Sequence, residues 1–231
     1  MHSFQGTPAV RDVIQAIGVP HTAVDLVLVD GRSVDFAHRL HGGERVAVYP
    51  VFERLDITPV LHLRPRPLRR TRFILDVHLG KLVRDLRLLG MDSAYAPNWD
   101  DETIIDRSLA EQRIILTRDT GILKQSRVTH GYWVRGHRPA AQLEEIVEAF
   151  DLCRQLQPFS RCLECNGEIR PVERDDLAGR VAPEILARFD RFWRCRECRR
   201  VYWQGSHYRR LLQRVRRFAP ELHWNGDDHA A

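Results

Sequence analysis

The middle of the chain alternates short apolar runs with segments in which apolar residues recur at helical spacing. Residues 73–75 (FIL) and 114–116 (IIL) are typical of strands that are buried on both faces. Between them, a stripe from Leu79 to Leu86 repeats every three or four residues and ends at Gly90, as expected of a helix. Strands alternating with helices predict a mostly parallel α/β sheet over residues 73–157.

The same periodicities predict the remaining elements of this region: strands at 93–96 and 132–134, and helices around 104–109 and 143–150. The last of these helices carries an apolar stripe through Ile146 and Phe150. Cys153 continues that stripe by helical spacing, so we expect its side chain to lie in the core.

The first 60 residues have a different pattern of apolar and polar residues. A helical stripe runs from Val10 to Ile17 and ends at Gly18. Alternating segments, VDLVLV and RSVDF, then flank an Asp30-Gly31 pair that is typical of a tight hairpin turn, and RVAVYP follows. The pattern predicts a small α+β unit over residues 1–60. Its histidines and acids show no metal-binding or catalytic spacing.

Residues 61–72 are predicted to form a basic linker. The segment 64–72 (RPRPLRRTR) combines two prolines with five arginines, which excludes a packed strand or helix. Such a segment is either simply solvated or lies along a phosphate backbone.

The net charge of +5 is unevenly distributed. Residues 154–217 contain 16 arginines, no lysine and 8 acids, a net of +8, so the rest of the chain sums to −3. A basic C-terminal third favours a polyanionic partner, most simply nucleic acid. Because arginine outnumbers lysine 34 to 2 overall, genome composition also explains part of this excess.

Aromatic residues interleave with these arginines, and they suit either base stacking or the small core of a metal-stabilised module: Phe192, Trp193, Tyr202, Trp203 and Tyr208.

Acidic residues follow the two buried strands of the α/β region. Asp76 comes directly after the first, and Asp119 comes shortly after the second. Ligands of open α/β sheets bind at the carboxyl ends of the strands, and Asp101, at the start of the helix before the second strand, is expected at the same edge. Each aspartate also has a structural interpretation as a helix cap or turn residue, and Asp100 and Asp106 are alternative third members of the cluster.

Three carboxylates at one edge repel one another unless a cation neutralises them. Oxygen ligands without histidine or cysteine favour Mg²⁺ or Mn²⁺. A site of this type activates water for attack on a phosphate. The sequence therefore raises the hypothesis of a catalytic metal site at Asp76, Asp101 and Asp119.

Four of the five cysteines form two CxxC pairs separated by 29 residues: Cys162, Cys165, Cys195 and Cys198. Paired CxxC loops suit tetrahedral Zn²⁺, because each loop brings two thiolates to one ion. All four positions would be filled by cysteine, so we expect this zinc to be structural rather than catalytic.

Taken together, FILDVHLGKLVRDLRLLGMDS, DDETIIDRSLAEQRIILTRD, CLECN and CRECRRVYWQGSH resemble the Mut-seven C-terminal RNase family from residue 73 to about 212. That family joins a PIN-like nuclease domain to a zinc ribbon. Upstream, GVPHTAVDLVLVDGRSVDF and GGERVAVYP resemble the ubiquitin-like β-grasp domain often fused before it. The implied domains are a ubiquitin-like domain at 1–60, the linker at 61–72, the PIN-like domain at 73–157, the zinc ribbon at 158–218 and a tail at 219–231.

The resemblance implies a metal-dependent ribonuclease that hydrolyses RNA phosphodiester bonds. Asp76 corresponds to the acid after the first strand, Asp119 to the acid of the TRD segment, and Asp101 to the acid that opens the middle helix. RNA is the implied partner. An alternative is a non-catalytic RNA-binding or adaptor protein with the same fold. The N-terminal domain lacks the terminal Gly-Gly of sulfur carriers, so we interpret it as an interaction or specificity module, for a protein partner that the sequence does not identify.

The sequence contains no run of 18 apolar residues, and its N-terminus has no basic-then-apolar signal pattern. A cytoplasmic location is therefore expected.

Overall fold

The computed structural model describes residues 3–19, 21, 24–50 and 71–219. Its chain divides into two compact units that do not follow chain order. The first comprises residues 1–80 and 95–151, and the second comprises residues 81–94 and 152–231. The predicted tail lies outside the described residues except for Ala219, and so does most of the predicted linker. No helix in these described ranges is long and apolar enough to cross a membrane.

The N-terminal part of the first unit is the predicted α+β fold. Its elements are α1 (Val10–Ala16), β1 (Val24–Val29), β2 (Arg32–Val34) and β3 (Val46–Pro50). The strands form an antiparallel sheet in the order β2-β1-β3. Asp30 and Gly31 both have positive φ, 49° and 80°, which is the backbone of the tight hairpin turn that the sequence predicts.

The rest of the first unit is an α/β fold. Its elements are β4 (Arg72–Leu75), α3 (Asp101–Glu111), β6 (Ile114–Thr117), α4 (Thr120–Lys124), β7 (Gly131–Trp133) and α5 (Pro139–Ala149). Strands β4, β6 and β7 lie side by side in that order and are all parallel. Every residue of β6 is buried, as are the last three of β4. This confirms the predicted parallel sheet with strands covered on both faces.

The second unit combines helices, a short strand and a zinc-ribbon-like sheet. Its elements are α2 (Gly80–Leu88, with Gly80 assigned to the first unit), β5 (Asp92–Ala94), β8 (Ile169–Val172), α6 (Pro183–Arg188), β9 (Phe192–Cys195), β10 (Val201–Trp203) and α7 (Ser206–Arg216). The last three strands form an antiparallel sheet in the order β10-β9-β8.

The prediction that Cys153 lies in the core is wrong, because its side chain is exposed. Helix α5 ends at Ala149, and Asp151 adopts a left-handed conformation with φ of 44°. That residue breaks the helical period, so the extrapolated stripe no longer points inward. Leu152 is fully buried instead and begins a short 3₁₀ turn.

Candidate active site and metal centre

Asp76 lies at the carboxyl end of β4, next to β6. Its backbone N–H donates to the carbonyl oxygen of Leu116 at 3.1 Å, which continues the parallel pairing one residue beyond the strand. The side chain is only 6% exposed. Although Asp76 precedes a 3₁₀ turn, its side chain makes no capping hydrogen bond there. Helix capping therefore does not explain this carboxylate.

Thr117, the last residue of β6, connects Asp76 to Asp119. Its hydroxyl donates to Asp76 Oδ2 at 2.8 Å and accepts from the backbone N–H of Asp119 at 2.8 Å. A third contact, to the Asp119 carbonyl oxygen, is longer at 3.4 Å, and a hydroxyl has only one proton to donate. The Thr117 side chain is completely buried, so this hydroxyl holds both aspartates at one edge of the sheet.

Asp119 has the capping role that its turn position suggests. It is the N-cap of α4, and its Oδ1 accepts from the Gly121 N–H at 2.7 Å. The residue is exposed, so its carboxylate is accessible from solvent. Capping uses only Oδ1 of the two carboxylate oxygens, so the cap does not prevent Oδ2 from binding a cation.

Asp101 is the first residue of α3 and shares an electrostatic environment with the other two acids. Burial and then the negative charges of Asp119, Asp76 and Asp100, in that order, raise the pKa of Asp101 above its usual value. The contribution of Asp119 and Asp76 is the effect expected of like charges that lie near Asp101.

The two alternative third acids have other partners. Asp100 is the N-cap of α3, where its side chain accepts from the Thr103 N–H at 2.8 Å, and that hydrogen bond lowers its pKa. Asp106 pairs with Arg127, which also pairs with Glu102. Asp101 is thus the member of the three whose charge is coupled to Asp76 and Asp119.

The aspartate cluster is looser than a set of direct ligands to one ion. Among the described residues, only the four cysteines have three or more ligand atoms that all lie within 4.8 Å of one another. Mg²⁺ usually keeps several waters and takes only one or two carboxylates directly. The observed arrangement fits that mode of binding, in which some of the acids act through water.

The four cysteines of the two CxxC pairs converge on one point. Their sulfur atoms all lie within 4.8 Å of one another. The sulfurs of Cys165 and Cys195 are 3.4 Å apart, and those of Cys162 and Cys198 are 3.6 Å apart. Four thiolates at about 2.3 Å from a tetrahedral Zn²⁺ would be about 3.8 Å from one another. The donor set and its spacing fit zinc.

Backbone geometry explains why these two loops bring their sulfurs together. The residue after each pair, Asn166 or Arg199, has a left-handed φ, 69° and 62° respectively. Each turn is closed by a hydrogen bond from the first cysteine N–H, to Gly167 O at 2.8 Å in one loop and to Arg200 O at 2.9 Å in the other. A Cβ on Gly167 would come within 2.8 Å of the Cys195 sulfur, so glycine is required there.

The thiols differ in acidity. Burial raises the pKa of Cys195 to about 12. Burial also opposes ionisation of Cys162, but hydrogen bonds from Tyr202 and from the backbone of Cys165 lower its pKa to about 7. The Tyr202 hydroxyl lies 2.9 Å from the Cys162 sulfur. A cation is needed to hold all four sulfurs as thiolates at neutral pH.

A buried arginine supports the first cysteine loop. Arg87 of α2 is 4% exposed, and its guanidinium donates to three carbonyl oxygens: Ser93 at 2.9 Å, Leu163 at 3.1 Å and Glu164 at 2.7 Å. Two of these carbonyls lie between Cys162 and Cys165. The side chain of Asn166 adds to this support, because it accepts from the Ser93 N–H and donates to Asp92. Nothing in the spacing of the sequence indicated either residue.

A parallel-stranded α/β unit with acids at the carboxyl ends of its strands, in one chain with a four-cysteine cluster, defines a metal-binding α/β protein. The chain belongs to the family of the Mut7-C RNAse domain, whose profile matches residues 71–215. Residues 1–56 match the profile of the Mut7-C ubiquitin domain. Both matches confirm the resemblance seen in the sequence. No curated protein and no solved structure matches the chain significantly.

Proposed function

We propose that the protein is a metal-dependent ribonuclease in which Asp76, Asp101 and Asp119 hold Mg²⁺ or Mn²⁺. Membership in a ribonuclease family supports the reaction class and RNA as the substrate. The observation that carries the site is the buried Thr117 hydroxyl, which donates to Asp76 Oδ2 and accepts from the Asp119 N–H and so brings both acids to one edge of the sheet. A cluster of like charges is unfavourable unless a cation binds there.

The bound metal would activate water and offset negative charge on the scissile phosphate. The chain's own residues prepare the site for it. Thr117 keeps the buried carboxylate of Asp76 oriented toward the sheet edge, and the Gly121 N–H restrains Asp119. Asp101, at the start of α3, contributes the third negative charge.

The four-cysteine site has a different role. A zinc ion held by Cys162, Cys165, Cys195 and Cys198 has no open coordination position for water or substrate, so it is structural. The arginines around it give the ribbon a positive surface that attracts the RNA backbone.

The metal requirement is tested by the cleavage of labelled single-stranded RNA. The protein is treated with a chelator mild enough to leave one zinc per chain, as verified by elemental analysis. We expect no cleavage without added metal and restored cleavage with Mg²⁺ or Mn²⁺. Undiminished cleavage after chelation would contradict the metal-dependent mechanism. RNA binding without cleavage under every metal condition would favour a non-catalytic RNA-binding or adaptor protein.

Thr117→Val should weaken metal binding because it disturbs the positions of Asp76 and Asp119, although Thr117 itself is not a proposed metal ligand. Valine has nearly the same shape but leaves Asp76 Oδ2 and the Asp119 N–H without their shared hydroxyl. We expect Mn²⁺ affinity to fall about tenfold or more, as for other residues that orient metal ligands. Electron paramagnetic resonance of bound Mn²⁺ measures this without reference to activity. Thr117→Ser keeps the hydroxyl and should restore binding; if serine behaves like valine, the hydroxyl is not what orients the site.

A further inference from the structure

The second unit contains a cavity of about 870 Å³ that the catalytic proposal does not use. Its walls come from the β8-β9-β10 sheet, from α7, from α2 and from the segment 158–164. All of these elements belong to the same compact unit as the cysteine cluster. The volume falls within the range of about 300–1,000 Å³ that is typical of sites for small organic molecules.

The floor of the cavity is a row of flat side chains. Trp193 of β9 pairs directly with Tyr202 of β10 on one side and with Pro171 of β8 on the other. Residues that are directly opposite in neighbouring strands share a face, so the three side chains form one continuous surface. Trp193 and Tyr202 are only half-buried, which leaves part of each ring exposed toward the cavity.

Helix α7 forms a second wall. His207, Leu211 and Arg214 recur at helical spacing along the side of α7 that lines the cavity. Tyr208 also lines it, and its ring packs against Phe159 with the centroids 4.8 Å apart at an angle of 40°. Aromatic rings are therefore present on two sides of the same space.

Arginines surround these rings. Seven line the cavity, against two acids, Asp85 and Glu164: Arg84, Arg161, Arg170, Arg191, Arg200, Arg210 and Arg214. Some are neutralised, for example Arg214, which donates to Asp85 at 2.6 Å. Within the described part of the chain, Arg200 and Arg210 pair with no carboxylate. The cavity thus keeps an excess of positive charge at its rim.

We propose that this cavity binds one or two unpaired nucleotides of single-stranded RNA, which rests on the proposed function for the nature of the ligand. Flat aromatic rings offer stacking surfaces to any base, and guanidinium groups match phosphate oxygens in a fixed fork. Bases held in a duplex cannot enter a concave site of this kind. An acidic peptide would use the same charges but would leave the aromatic floor without a planar partner.

Stacking is tested with Trp193→Leu and Trp193→Phe in the full-length, zinc-loaded protein. Binding is measured without Mg²⁺ or Mn²⁺ to labelled oligouridine of about 12 nucleotides and to an abasic strand of equal length. We expect leucine to weaken oligouridine binding about tenfold, and phenylalanine to stay within about threefold of the wild type. Neither change should alter binding of the abasic strand. Zinc content and thermal midpoint report whether each variant is folded.

The charge of the rim is tested separately on α7. Arg210 lines the cavity, whereas its exposed neighbour Arg209 does not, so the two form a matched pair. Arg210→Gln should reduce the slope of log affinity against log salt by about 0.7, the value for one phosphate contact on a single strand. Arg209→Gln should leave the slope nearly unchanged. This pair keeps the proposal testable even if the Trp193 variants fold poorly.

Equal losses on oligouridine and abasic RNA for Trp193→Leu, or equal slopes for the two arginine variants, would overturn the proposal. So would a polyglutamate peptide whose binding depends on Trp193 while RNA binding does not, because the cavity would then serve a protein partner. These measurements need no cleavage. Failure of the nuclease proposal therefore appears as intact RNA binding without Mn²⁺-dependent cutting, and failure of the cavity proposal appears as RNA binding that Trp193→Leu does not weaken.

Discussion

Asp119→Asn is expected to lower the rate of RNA cleavage at least about 100-fold, because it removes one negative charge from the proposed metal site while keeping the local fold. The asparagine side-chain oxygen can still accept the Gly121 N–H that Asp119 accepts at 2.7 Å. Asp76→Asn should behave in the same way, since its oxygen can still accept from the Thr117 hydroxyl. Initial rates on labelled single-stranded RNA with Mn²⁺ measure the effect.

A neighbouring pair of acids provides the control. Asp101 is coupled to the cluster, whereas Asp100 caps α3 through Thr103, and asparagine caps nearly as well as aspartate. Asp101→Asn should therefore lower activity strongly and Asp100→Asn only slightly. The two residues are adjacent and both are exposed, so a nonspecific surface effect would change both variants alike.

Asp101→Asn should lower cleavage activity without lowering the thermal midpoint. The pKa of Asp101 is raised in the folded protein, so its ionised form is unfavourable there at neutral pH. Removing that charge relieves repulsion, and the thermal midpoint of Asp101→Asn without added metal should stay the same or rise. A fall in both midpoint and activity would identify Asp101 as a structural residue. Equal cleavage by the wild type and the Asp76 and Asp119 variants would show that the activity belongs to a contaminant.

The placement of Asp76 and Asp119 could be predicted because parallel strands bring their carboxyl ends to one edge. Runs such as Ile114 to Thr117 are buried on both faces, and this pattern is visible in the sequence. Thr117 was not recognised, because threonine is common in strands for reasons of backbone preference alone. Its role depends on a hydrogen bond from its hydroxyl to Asp76 at the end of the neighbouring strand. A pattern of adjacent residues in the sequence does not predict such a contact.

The sequence could not choose among Asp100, Asp101 and Asp106 because all three lie within seven residues at the start of α3. Their roles differ through partners that are distant in sequence, such as Arg127 for Asp106. Cys153 was misplaced for a related reason. A helical stripe is informative only while the helix continues, and the left-handed Asp151 ends it without a glycine or proline to mark the break.

Helix α7 was not predicted, although it follows a Gly205-Ser206 start and buries Leu212 and Val215. Its arginine-rich sequence resembles a solvated basic segment more than an amphipathic helix. The sequence pattern does not predict the association of α2 with the cysteine ribbon either. It depends on partly buried polar contacts between residues about 75 positions apart, and those contacts converge on Arg87.

Arg87→Met is expected to destabilise the second unit by about 3 kcal/mol, because one buried and two partly buried carbonyl groups lose their charged donor. Methionine fills a similar volume but donates no hydrogen bond. The carbonyls of Leu163 and Glu164 belong to the loop that presents Cys162 and Cys165, so the loop should lose its fixed shape. Zinc affinity should fall about tenfold or more. Competition with a colorimetric chelator measures zinc release directly.

Arg84→Met is the matched control, one turn earlier on the same helix. Arg84 approaches Glu164 at 3.5 Å, but both side chains are substantially exposed. Exposed pairs contribute at most about 1 kcal/mol, so zinc affinity and thermal midpoint should change little. If the two variants lose zinc equally, the effect comes from removing positive charge near the thiolates rather than from the buried hydrogen bonds. If neither loses zinc, the four cysteines hold their geometry through the ribbon backbone alone, and α2 is not part of the support of the metal centre.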